Sequence, residues 1–565
     1  HEQGWFAHWQ SLPYLFGLAL VLLVFYWPAA SLQGVFYVGD IFRLNYPLRA
    51  VYTLEMQRGQ IPLWAPEALA GYPLLADGQT GAYYPPNLLL HRWLTLPAAL
   101  NYSVLTSFWI AGAGLFLYVR SLGLRRSAAF LAACTFMLGG FLPAHLNHIN
   151  MVAAVAWLPL LLWAVERAVR CSRLRTWALV AALFGLQGLA GHPQVSFLSA
   201  LLGVGQALVG PLASPSAALK LRQRVRYLGF YGGALVAGAG LAMVQWAPTY
   251  ELVRLSQRGV GLDYQFFTSF SLPPQELVAM LWPFRRGNPF PAVSQETVGY
   301  VGALPLVFAA LALLRRRDRL AAYWAAVGGV GVLMALGHFN PIYLVLRHIP
   351  LVNSFRVPAR YLLWLDLSVA ILAGAAADRL LPATVGSPSL RAWVPVGGLS
   401  LAALGSGFWI SRVPLERLLV TWRWLPLVWL AATALLIVAL RRRPPARLWL
   451  PLATGILLAD LGAFVGVQNR TYNDVMPMAE FTRAPEALLF LQADAGPEPY
   501  RIYTDENWPG LPVMRESLYP NIALLHGVQS LNGYFPLVPT AQEWLLDNLN
   551  PRLLDLLNVR YVLVP

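Results

Sequence analysis

The chain has 565 residues, of which 57% are hydrophobic and 12% are charged, and its mean hydropathy is +0.53. A soluble globular protein of this length carries more charge and fewer apolar residues, so the composition excludes that class and predicts a polytopic membrane protein. The net charge of +15 does not indicate a nucleic-acid partner, because the basic residues recur as short clusters between apolar segments and do not gather in one soluble region.

The apolar segments predict about thirteen membrane-spanning helices, each near the roughly 20 residues that a helix needs to cross the hydrocarbon core. The residues before the first segment, 1–10, include no Lys or Arg, so the basic region of a signal peptide is missing there. The predicted spans lie near 12–30, 98–119, 127–143, 151–168, 176–191, 194–210, 227–247, 297–314, 320–337, 360–378, 392–410, 424–440 and 448–467.

Short arginine-rich loops set the expected orientation. They follow every even-numbered span, and the positive-inside bias of short loops places them in the cytoplasm. The N-terminus is then cytoplasmic, and the odd-numbered loops and the C-terminal tail lie outside. The arginine-rich loops are found at 120–126, 167–175, 220–226, 315–319, 379–391 and 441–447.

The predicted fold is an all-α membrane domain, 1–467, followed by an outer tail, 468–565. The membrane domain carries two long outer loops, 31–97 and 248–296. The tail is long enough for a small extracytoplasmic α/β domain. Within it, residue patterns predict strands at 500–504 and 560–564 and helices at 484–492 and 540–556.

The first outer loop has the most distinctive sequence of the chain. It contains the Gly39-Asp40 pair, the phrase Gly-Gln-Ile-Pro-Leu-Trp at 59–64 and a Tyr- and Pro-rich phrase at 71–87. With the closing phrase Leu-Asn-Val-Arg-Tyr-Val at 557–562, these motifs resemble the YfhO-like family of bacterial membrane proteins. That family is similar to the GT-C superfamily of polyprenyl-phosphate-dependent glycosyltransferases.

The resemblance implies a GT-C-like fold in the bacterial plasma membrane. It also implies inverting transfer of a sugar from a polyprenyl-phosphate donor to an extracytoplasmic acceptor, which is a cell-envelope glycan, a lipid or a protein. Such a transfer needs a base that takes the acceptor proton and donors that stabilise the departing phosphate. Asp40, at the outer end of the first span, is the expected general base. The alternative for Asp40 is a helix cap or an interfacial charge in an ordinary Gly-Asp turn.

Arginines near the outer face are candidates for binding the donor phosphate, because guanidinium groups grip phosphate through two hydrogen bonds. Arg356 and Arg360 are the main candidates, and they are expected to share a helix face if a helix begins near Pro358. Anchoring to lipid headgroups is the alternative. Arg43 is a further candidate, and the weaker ones are Arg49, Arg285 and Arg286.

Other polar residues of the outer loops are expected to contact substrate. Each has a structural alternative: a turn for Asp77 and Gln79, a solvent-facing turn for the histidines, and a helix N-terminal charge for Glu296. The predicted substrate-binding residues are Tyr46, Asp77, Gln79, His148, His192 and Glu296.

No cofactor is expected. Many GT-C enzymes hold a metal with an acidic pair in the first loop, and Asp40 has no neighbouring acid. His145 and His148 form a pair that lacks further ligands in the local sequence. A divalent metal stays an alternative, but the predicted site has none.

Two acids, Asp366 and Asp460, fall inside predicted spans, where an ionisable group is costly and is usually functional or paired. They bridge helices or belong to a transport path. A transporter of lipid-linked saccharides, or a non-catalytic subunit of a membrane complex, is therefore the alternative to an enzyme.

Overall fold

Apolar helices make up most of the chain. The computed structural model describes residues 10–213, 219–260, 263–285, 287, 294–314, 318–380, 405, 413–441, 446–494, 496, 498–505 and 510–564. The main helices are α1 (Leu12–Phe25), α2 (Leu96–Ser121), α3 (Arg126–Leu138), α4 (Ile149–Cys171), α5 (Leu174–Leu189), α6 (Pro193–Val209), α7 (Leu221–Leu255), α8 (Ala303–Leu313), α9 (Arg319–Ala335), α10 (Leu362–Leu380), α11 (Leu425–Arg441) and α12 (Ala446–Gln468).

Short helices join or flank these elements. The α-helical ones are Trp27–Ala30, Tyr46–Gln57, Leu74–Asp77, Pro85–Trp93, Phe141–Ala144, Tyr264–Phe267, Tyr343–Leu346, Leu415–Thr421, Met478–Phe481, Glu486–Asp494, Leu511–Glu516, Thr540–Asp547 and Pro551–Leu556. A π-helix covers Ile41–Asn45, and 3₁₀ helices cover Gln257–Val260, Pro274–Met280, Gln295–Thr297, Gly337–Phe339, Val352–Ser354, Pro358–Tyr361 and Ile522–His526.

The helices confirm a multi-pass membrane protein. Within the described residues, six helices are long and apolar enough to cross a membrane, and a seventh span is possible if the pair Leu415–Thr421 and Leu425–Leu440, bent by 61°, counts as one. Five shorter apolar helices, α1, α5, α6, α8 and α9, coincide with further predicted spans. The predicted span at 392–410 lies outside the described residues except for position 405, so the number thirteen stays a prediction. Positions 1–9, Arg286, 315–317, 381–391 and 442–445 also lie outside them.

The centre of the membrane domain is built on α3 and α10. Every side chain of α3 from Ser127 to Leu138 is buried, and small residues let the two helices approach closely. A Cβ at Gly374 of α10 would lie 3.1 Å from the Cβ of Ala132. Such small-residue contacts are how helices pack inside a membrane, where apolar burial gives no net gain.

Asp366 and Asp460 each bind the N-terminus of a helix. Asp366 Oδ2 accepts a hydrogen bond of 2.8 Å from Phe141 N. Asp460 accepts hydrogen bonds from Ala303 N (2.7 Å) and from the Tyr300 hydroxyl (2.6 Å). Because the first N–H groups of a helix have no partner inside it, these contacts give both acids a structural role.

The tail contributes strands to two small sheets. Strand β1 (Gly34–Phe36) of the first outer loop pairs antiparallel with β2 (Val475–Pro477), with Val35 opposite Met476. A second sheet has the order β4 (Gln529–Ser530), β3 (Arg501–Thr504), β5 (Val559–Leu563), and both pairs are parallel. Two of its strands lie where the sequence predicts them.

One predicted helix of the tail, 540–556, is two helices in the structure. The first ends at Asp547, and the second begins at Pro551. Proline cannot continue a helix interior, because it lacks the N–H and its ring clashes with the preceding turn. The Asn550 side chain instead caps the second helix by accepting a hydrogen bond of 3.2 Å from Leu553 N.

The tail packs on the first outer loop. Leu44 and Leu48 share a buried cluster with Leu524 and Phe535, and the Phe535 ring stacks on Tyr72 at 3.9 Å between centroids. The division into domains at 467 and 468 stays a prediction, but the contacts position residues of the tail directly over the first outer loop.

Candidate functional site

The turn before Asp40 requires glycine. Gly39 has φ +67°, and a Cβ at this position would lie 2.7 Å from Asn147 Nδ2. Both the left-handed backbone and the close approach therefore exclude a larger residue. Asp40 follows and begins the π-helix Ile41–Asn45. The Asn45 side chain donates back to the Asp40 carbonyl at 3.2 Å, which fixes the backbone that carries the carboxylate.

The two oxygens of Asp40 face two different parts of the chain. Oδ2 lies 3.5 Å from Nε2 of His148, which precedes α4, and Oδ1 accepts a hydrogen bond of 3.4 Å from the Tyr534 hydroxyl of the tail. The side chain keeps 33% of its surface exposed. Burial raises the pKa of Asp40, but the contacts with His148, together with Tyr534 and Arg43, outweigh it and lower the pKa below its usual range. A carboxylate that is ionised and still accessible can accept a proton.

A closed network lies beside Asp40. Arg360 donates to both oxygens of Glu296, from Nη2 to Oε1 at 2.7 Å and from Nε to Oε2 at 3.1 Å. The fully buried His145 lies with Nε2 2.9 Å from Oε2 and with Nδ1 2.7 Å from the Phe141 carbonyl. Burial raises the pKa of Glu296, yet Arg360 and then His145 hold it well below its usual range. Glu296 is thus a buried carboxylate that is paired on both oxygens.

Arg356 and Arg360 do not share a helix face as expected. Val357 between them has φ +67°, and the next four residues form a 3₁₀ helix, Pro358–Tyr361. Proline disfavours helical geometry in the residue before it, so the helix cannot extend back to Arg356. The Arg356 guanidinium lies over the Phe266 ring at 4.8 Å from its centroid, while Arg360 reaches Glu296.

Gln194 links the two arginines in a different way. Its Oε1 accepts a hydrogen bond of 2.7 Å from Arg360 Nη1, and its Nε2 donates to the Arg356 carbonyl at 2.7 Å. Burial, then Arg360, lower the pKa of Arg356, whereas Glu296, Tyr534 and Asp40 raise it. Arg356 is therefore within electrostatic range of Asp40 while its guanidinium stays outside the closed network.

Three other predicted phosphate-binding arginines lie in different surroundings. The positive charge of Arg43 acts on Asp40, and the Arg43 carbonyl accepts a hydrogen bond of 2.8 Å from Asn521. Arg49 is 2% exposed and lies with Nη1 3.1 Å from Nε2 of His91, so it belongs to the interior. Arg285 is exposed. The phosphate-binding roles of Arg43, Arg356 and Arg360 stay predictions.

Asp77 and Gln79 form a turn, and its hydrogen bonds go to residues outside the closed network. Asp77 accepts hydrogen bonds from the Tyr72 hydroxyl (2.6 Å) and from Gln79 N (3.0 Å). Burial raises the pKa of Asp77 to about 6. These contacts fit the turn alternative, and contact with substrate stays a prediction for both residues.

Tyr46 and His192 have structural contacts as well. Tyr46 is 2% exposed, and its ring lies 4.5 Å from that of Phe481. Nδ1 of His192 accepts from Val195 N at 3.3 Å, which caps α6, and burial lowers its pKa well below the usual value. Of the predicted substrate-binding residues, His148 lies beside Asp40 and Glu296 belongs to the closed network. The charges of Arg360, His148 and Glu296 also act on His192, so this residue lies near the same network.

A metal ion is a further possibility for this group of side chains. One ligand atom from each of His145, His148 and Glu296 lies within 4.8 Å of the others. However, Arg360 occupies both oxygens of Glu296, and His145 contacts one of them. A cation would have to compete with the guanidinium for this carboxylate, so the donor set as arranged fits an ion pair better than a metal. The absence of a metal stays a prediction.

Sequence reasoning missed two members of the site, Tyr534 and Gln194. Tyr534 is 494 positions from its partner Asp40, and nothing in the local sequence connects them. The structure explains the contact through Asn521, which donates to the Tyr534 carbonyl (2.9 Å) and accepts from Tyr534 N (3.1 Å). Because Asn521 also donates to the Arg43 carbonyl, it ties the tail to the loop that carries Asp40.

Comparisons with known proteins give a fold but no family. No protein-family model matches the sequence, and no curated protein matches it. The structure is similar to arabinofuranosyltransferase AftD from Mycobacteria, with TM-score 0.50 and 16% identity over 94% of this chain and 33% of that chain. It is also similar to ArnT from Cupriavidus metallidurans bound to undecaprenyl phosphate, with TM-score 0.41 and 14% identity over 94% of this chain and 86% of that chain. For ArnT in the apo state, the TM-score is 0.43 and the identity is 16% over 91% of this chain and 84% of that chain.

The similarity to AftD supports the expected GT-C-like fold. The chain spans only about a third of the AftD chain, and at 16% identity the likeness concerns the fold and not the activity. The narrower resemblance to the YfhO-like family stays a prediction. A multi-pass membrane chain whose fold is similar to that of AftD therefore carries an accessible carboxylate, Asp40, beside a closed ionic network.

Proposed function

We propose that this protein is a membrane glycosyltransferase of GT-C type, in which Asp40 is the general base. The donor is a sugar on a polyprenyl phosphate, and the acceptor hydroxyl lies on the outer side of a bacterial plasma membrane. The main observation in favour is the Asp40 carboxylate, which is partly exposed and held between His148 and Tyr534. The GT-C-like fold shared with an arabinofuranosyltransferase agrees with this activity.

The proposed reaction is a single displacement that inverts the sugar. The acceptor hydroxyl gives its proton to Asp40 while its oxygen forms the new bond to the anomeric carbon. The bond from that carbon to the phosphate oxygen breaks, and its electron pair leaves with the phosphate. Arg356 is better placed than Arg360 to neutralise the leaving group, because its guanidinium is not engaged by a carboxylate among the described residues and is within electrostatic range of Asp40, whereas Arg360 is paired with Glu296.

Asp40 is ionised at neutral pH, because its pKa lies below the usual carboxyl range. It can therefore accept a proton without first losing one. The network of Glu296, Arg360 and His145 supports the site from one side and holds His148 and Gln295 near Asp40, since Gln295 contacts both Asn147 (3.0 Å) and His148 (3.3 Å).

The test is the Asp40→Asn variant of the full chain in lipid nanodiscs. The substrates are a radiolabelled polyprenyl-phosphate hexose and a detergent-extracted cell-envelope fraction as acceptor. We expect the transfer rate to fall by about 10²–10⁴-fold, the usual contribution of a general base. Asp547→Asn, at an exposed position of the tail, is the matched control and keeps the wild-type rate. Full activity of Asp40→Asn with normally bound donor would remove Asp40 from the mechanism.

A further inference from the structure

A polar cavity of about 510 Å³ lies between the tail and the second outer loop. Its walls come from three parts of the chain: the end of α7 with the following loop, Arg356, and the tail segment 535–543. This is the size range of small-molecule sites. The lining residues that matter here are Arg258, Asp263, Phe266, Arg356, Phe535 and Glu543.

Direct contacts between its walls hold the cavity open. Ser256 and Pro539 form an antiparallel bridge, and the Thr540 hydroxyl donates to the Leu255 carbonyl at 3.2 Å. On the opposite side of the tail segment, Phe535 stacks on Tyr72. Because the walls are joined in this way, a ligand needs no large rearrangement to enter.

Two arginines face the cavity without a carboxylate partner. Neither Arg258 nor Arg356 lies within ion-pair distance of an Asp or Glu in the described part of the chain. Burial, then Arg356, lower the pKa of Arg258, so the two half-buried charges repel each other. An anion between or beside them would relieve that repulsion and satisfy their free donors.

The Phe266 ring orients both guanidinium groups. Arg356 lies 4.8 Å and Arg258 lies 5.9 Å from its centroid. Aromatic contacts of this kind fix the guanidinium plane and leave its N–H edge free for a ligand. The carboxylates of Asp263 and Glu543 line the same cavity and can accept hydrogen bonds from ligand hydroxyls. Asp263 Oδ1 also accepts a hydrogen bond of 2.7 Å from Phe266 N. The lining therefore suits a ligand with both a negative group and hydroxyls.

The cavity lies in the water layer outside the membrane. Helix α7 has 35 residues, which corresponds to a length of about 52 Å, whereas the hydrocarbon core is roughly 30 Å thick. Its first turns carry the exposed arginines Arg222, Arg224 and Arg226, expected at the cytoplasmic surface. The other end, with Ser256 and Arg258, must then project beyond the hydrocarbon, where a water-soluble ligand has access.

We propose that this cavity is the acceptor subsite and that it binds a phosphate-bearing saccharide, with the phosphate on Arg258 and the sugar hydroxyls toward Asp263 and Glu543. The acceptor role rests on the proposed function, while the anion site does not depend on it. Arg356 lines the cavity and also interacts electrostatically with Tyr534 and Asp40, so it connects the acceptor subsite with the proposed base.

Binding of glucose 1-phosphate to the full chain in nanodiscs tests the site. We expect saturable binding in calorimetric titrations and at least a tenfold loss of affinity in Arg258→Gln, because a hydrogen-bonded charge pair is lost. The Arg258→Lys variant keeps the charge but loses the forked N–H donors, so its affinity for glucose 1-phosphate is expected to lie between those of the wild type and Arg258→Gln. Arg254→Gln, an exposed arginine one turn earlier on α7, is the matched control and binds as the wild type. Thermal unfolding of each variant checks that it is folded.

Several results would overturn the inference. These are no saturable binding of glucose 1-phosphate, unchanged affinity in Arg258→Gln, or binding of glucose as tight as that of its phosphate. If polyprenyl phosphate alone binds and Arg258→Gln abolishes it, the cavity takes a lipid headgroup and is not an acceptor subsite.

The transfer assay separates this inference from the proposed function. Arg258-dependent binding without any sugar transfer would leave the anion site standing and remove the glycosyltransferase. Sugar transfer by Arg258→Gln at the wild-type rate, with the wild-type dependence on acceptor concentration, would leave the glycosyltransferase standing and remove the acceptor role of the cavity.

Discussion

Two neighbouring groups of charges differ in how they are satisfied. In the closed network, Glu296 and Arg360 are paired through two hydrogen bonds, and His145 and Gln194 complete their contacts. At the cavity, neither Arg356 nor Arg258 has a carboxylate at ion-pair distance among the described residues. Arg356 and Arg360 are only four positions apart, so sequence distance does not decide which environment an arginine enters.

The charges of the closed network are structural, whereas those of the arginines at the cavity are available to a ligand. Burying an ion costs several kcal/mol unless other groups replace its hydrogen bonds to water. In the closed network, the hydrogen bonds between Arg360 and Glu296 replace them. An arginine that is half-buried without a partner has donors left over, and an anionic ligand can use them. The following three predictions test this comparison.

Glu296→Gln is expected to have the largest effect. Removing one partner of a buried ion pair leaves Arg360 uncompensated and should cost about 3–5 kcal/mol in the free energy of unfolding. Because the pKa of Glu296 is lowered in the folded protein, the pair stabilises the fold above the ordinary carboxyl pKa, and this contribution is lost as the pH falls through the folded-state pKa. The difference from the wild type should therefore shrink on acidification.

Thermal and denaturant unfolding in nanodiscs measures this difference. Glu416→Gln, at an exposed position without an ion pair in the described chain, is the control and should change stability by less than about 0.5 kcal/mol. Equal stability of Glu296→Gln and the wild type would mean that the network is not closed.

Arg360→Lys and Arg356→Lys should differ in their effect on stability. Lysine cannot reproduce the forked contact with Glu296, so Arg360→Lys is expected to cost about 1.5–3 kcal/mol. Arg356→Lys should stay within about 0.5 kcal/mol, because no carboxylate is lost, while binding of the donor weakens. The same unfolding measurement serves for both variants. Similar losses in the two would contradict the comparison.

His148→Gln has the smallest expected effect, a shift in pH dependence. His148 makes the largest contribution among the contacts that lower the pKa of Asp40, so its removal should raise that pKa. The acid limb of the rate–pH profile should then move to higher pH, since Asp40 must be ionised to act as the base. A profile that stays in place would show that Asp40 is not the titrating group, or that His148 does not act on it.

The sequence could predict the residues that lie on the outer loops, but not which of them meet. Asp40, His148, Glu296 and Arg360 were all candidates, and four separate loops bring them together. Tyr534 and Arg258 were missed, since a tyrosine in the tail and an arginine after a long helix carry no local pattern that indicates a site. The shared helix face of Arg356 and Arg360 was wrong because Val357 adopts a left-handed conformation.

Composition and periodicity by themselves determined that the chain is a multi-pass membrane protein with a long first loop and a polar tail. Those properties depend on the cost of placing polar groups in hydrocarbon, and that cost acts on each segment separately. Only the tertiary structure decided that Arg360 is paired with Glu296, that Arg356 has no carboxylate partner in the described part of the chain, and that the tail reaches Asp40. These outcomes depend on contacts between segments far apart in the chain, and a carboxylate or guanidinium acquires its role from the groups around it.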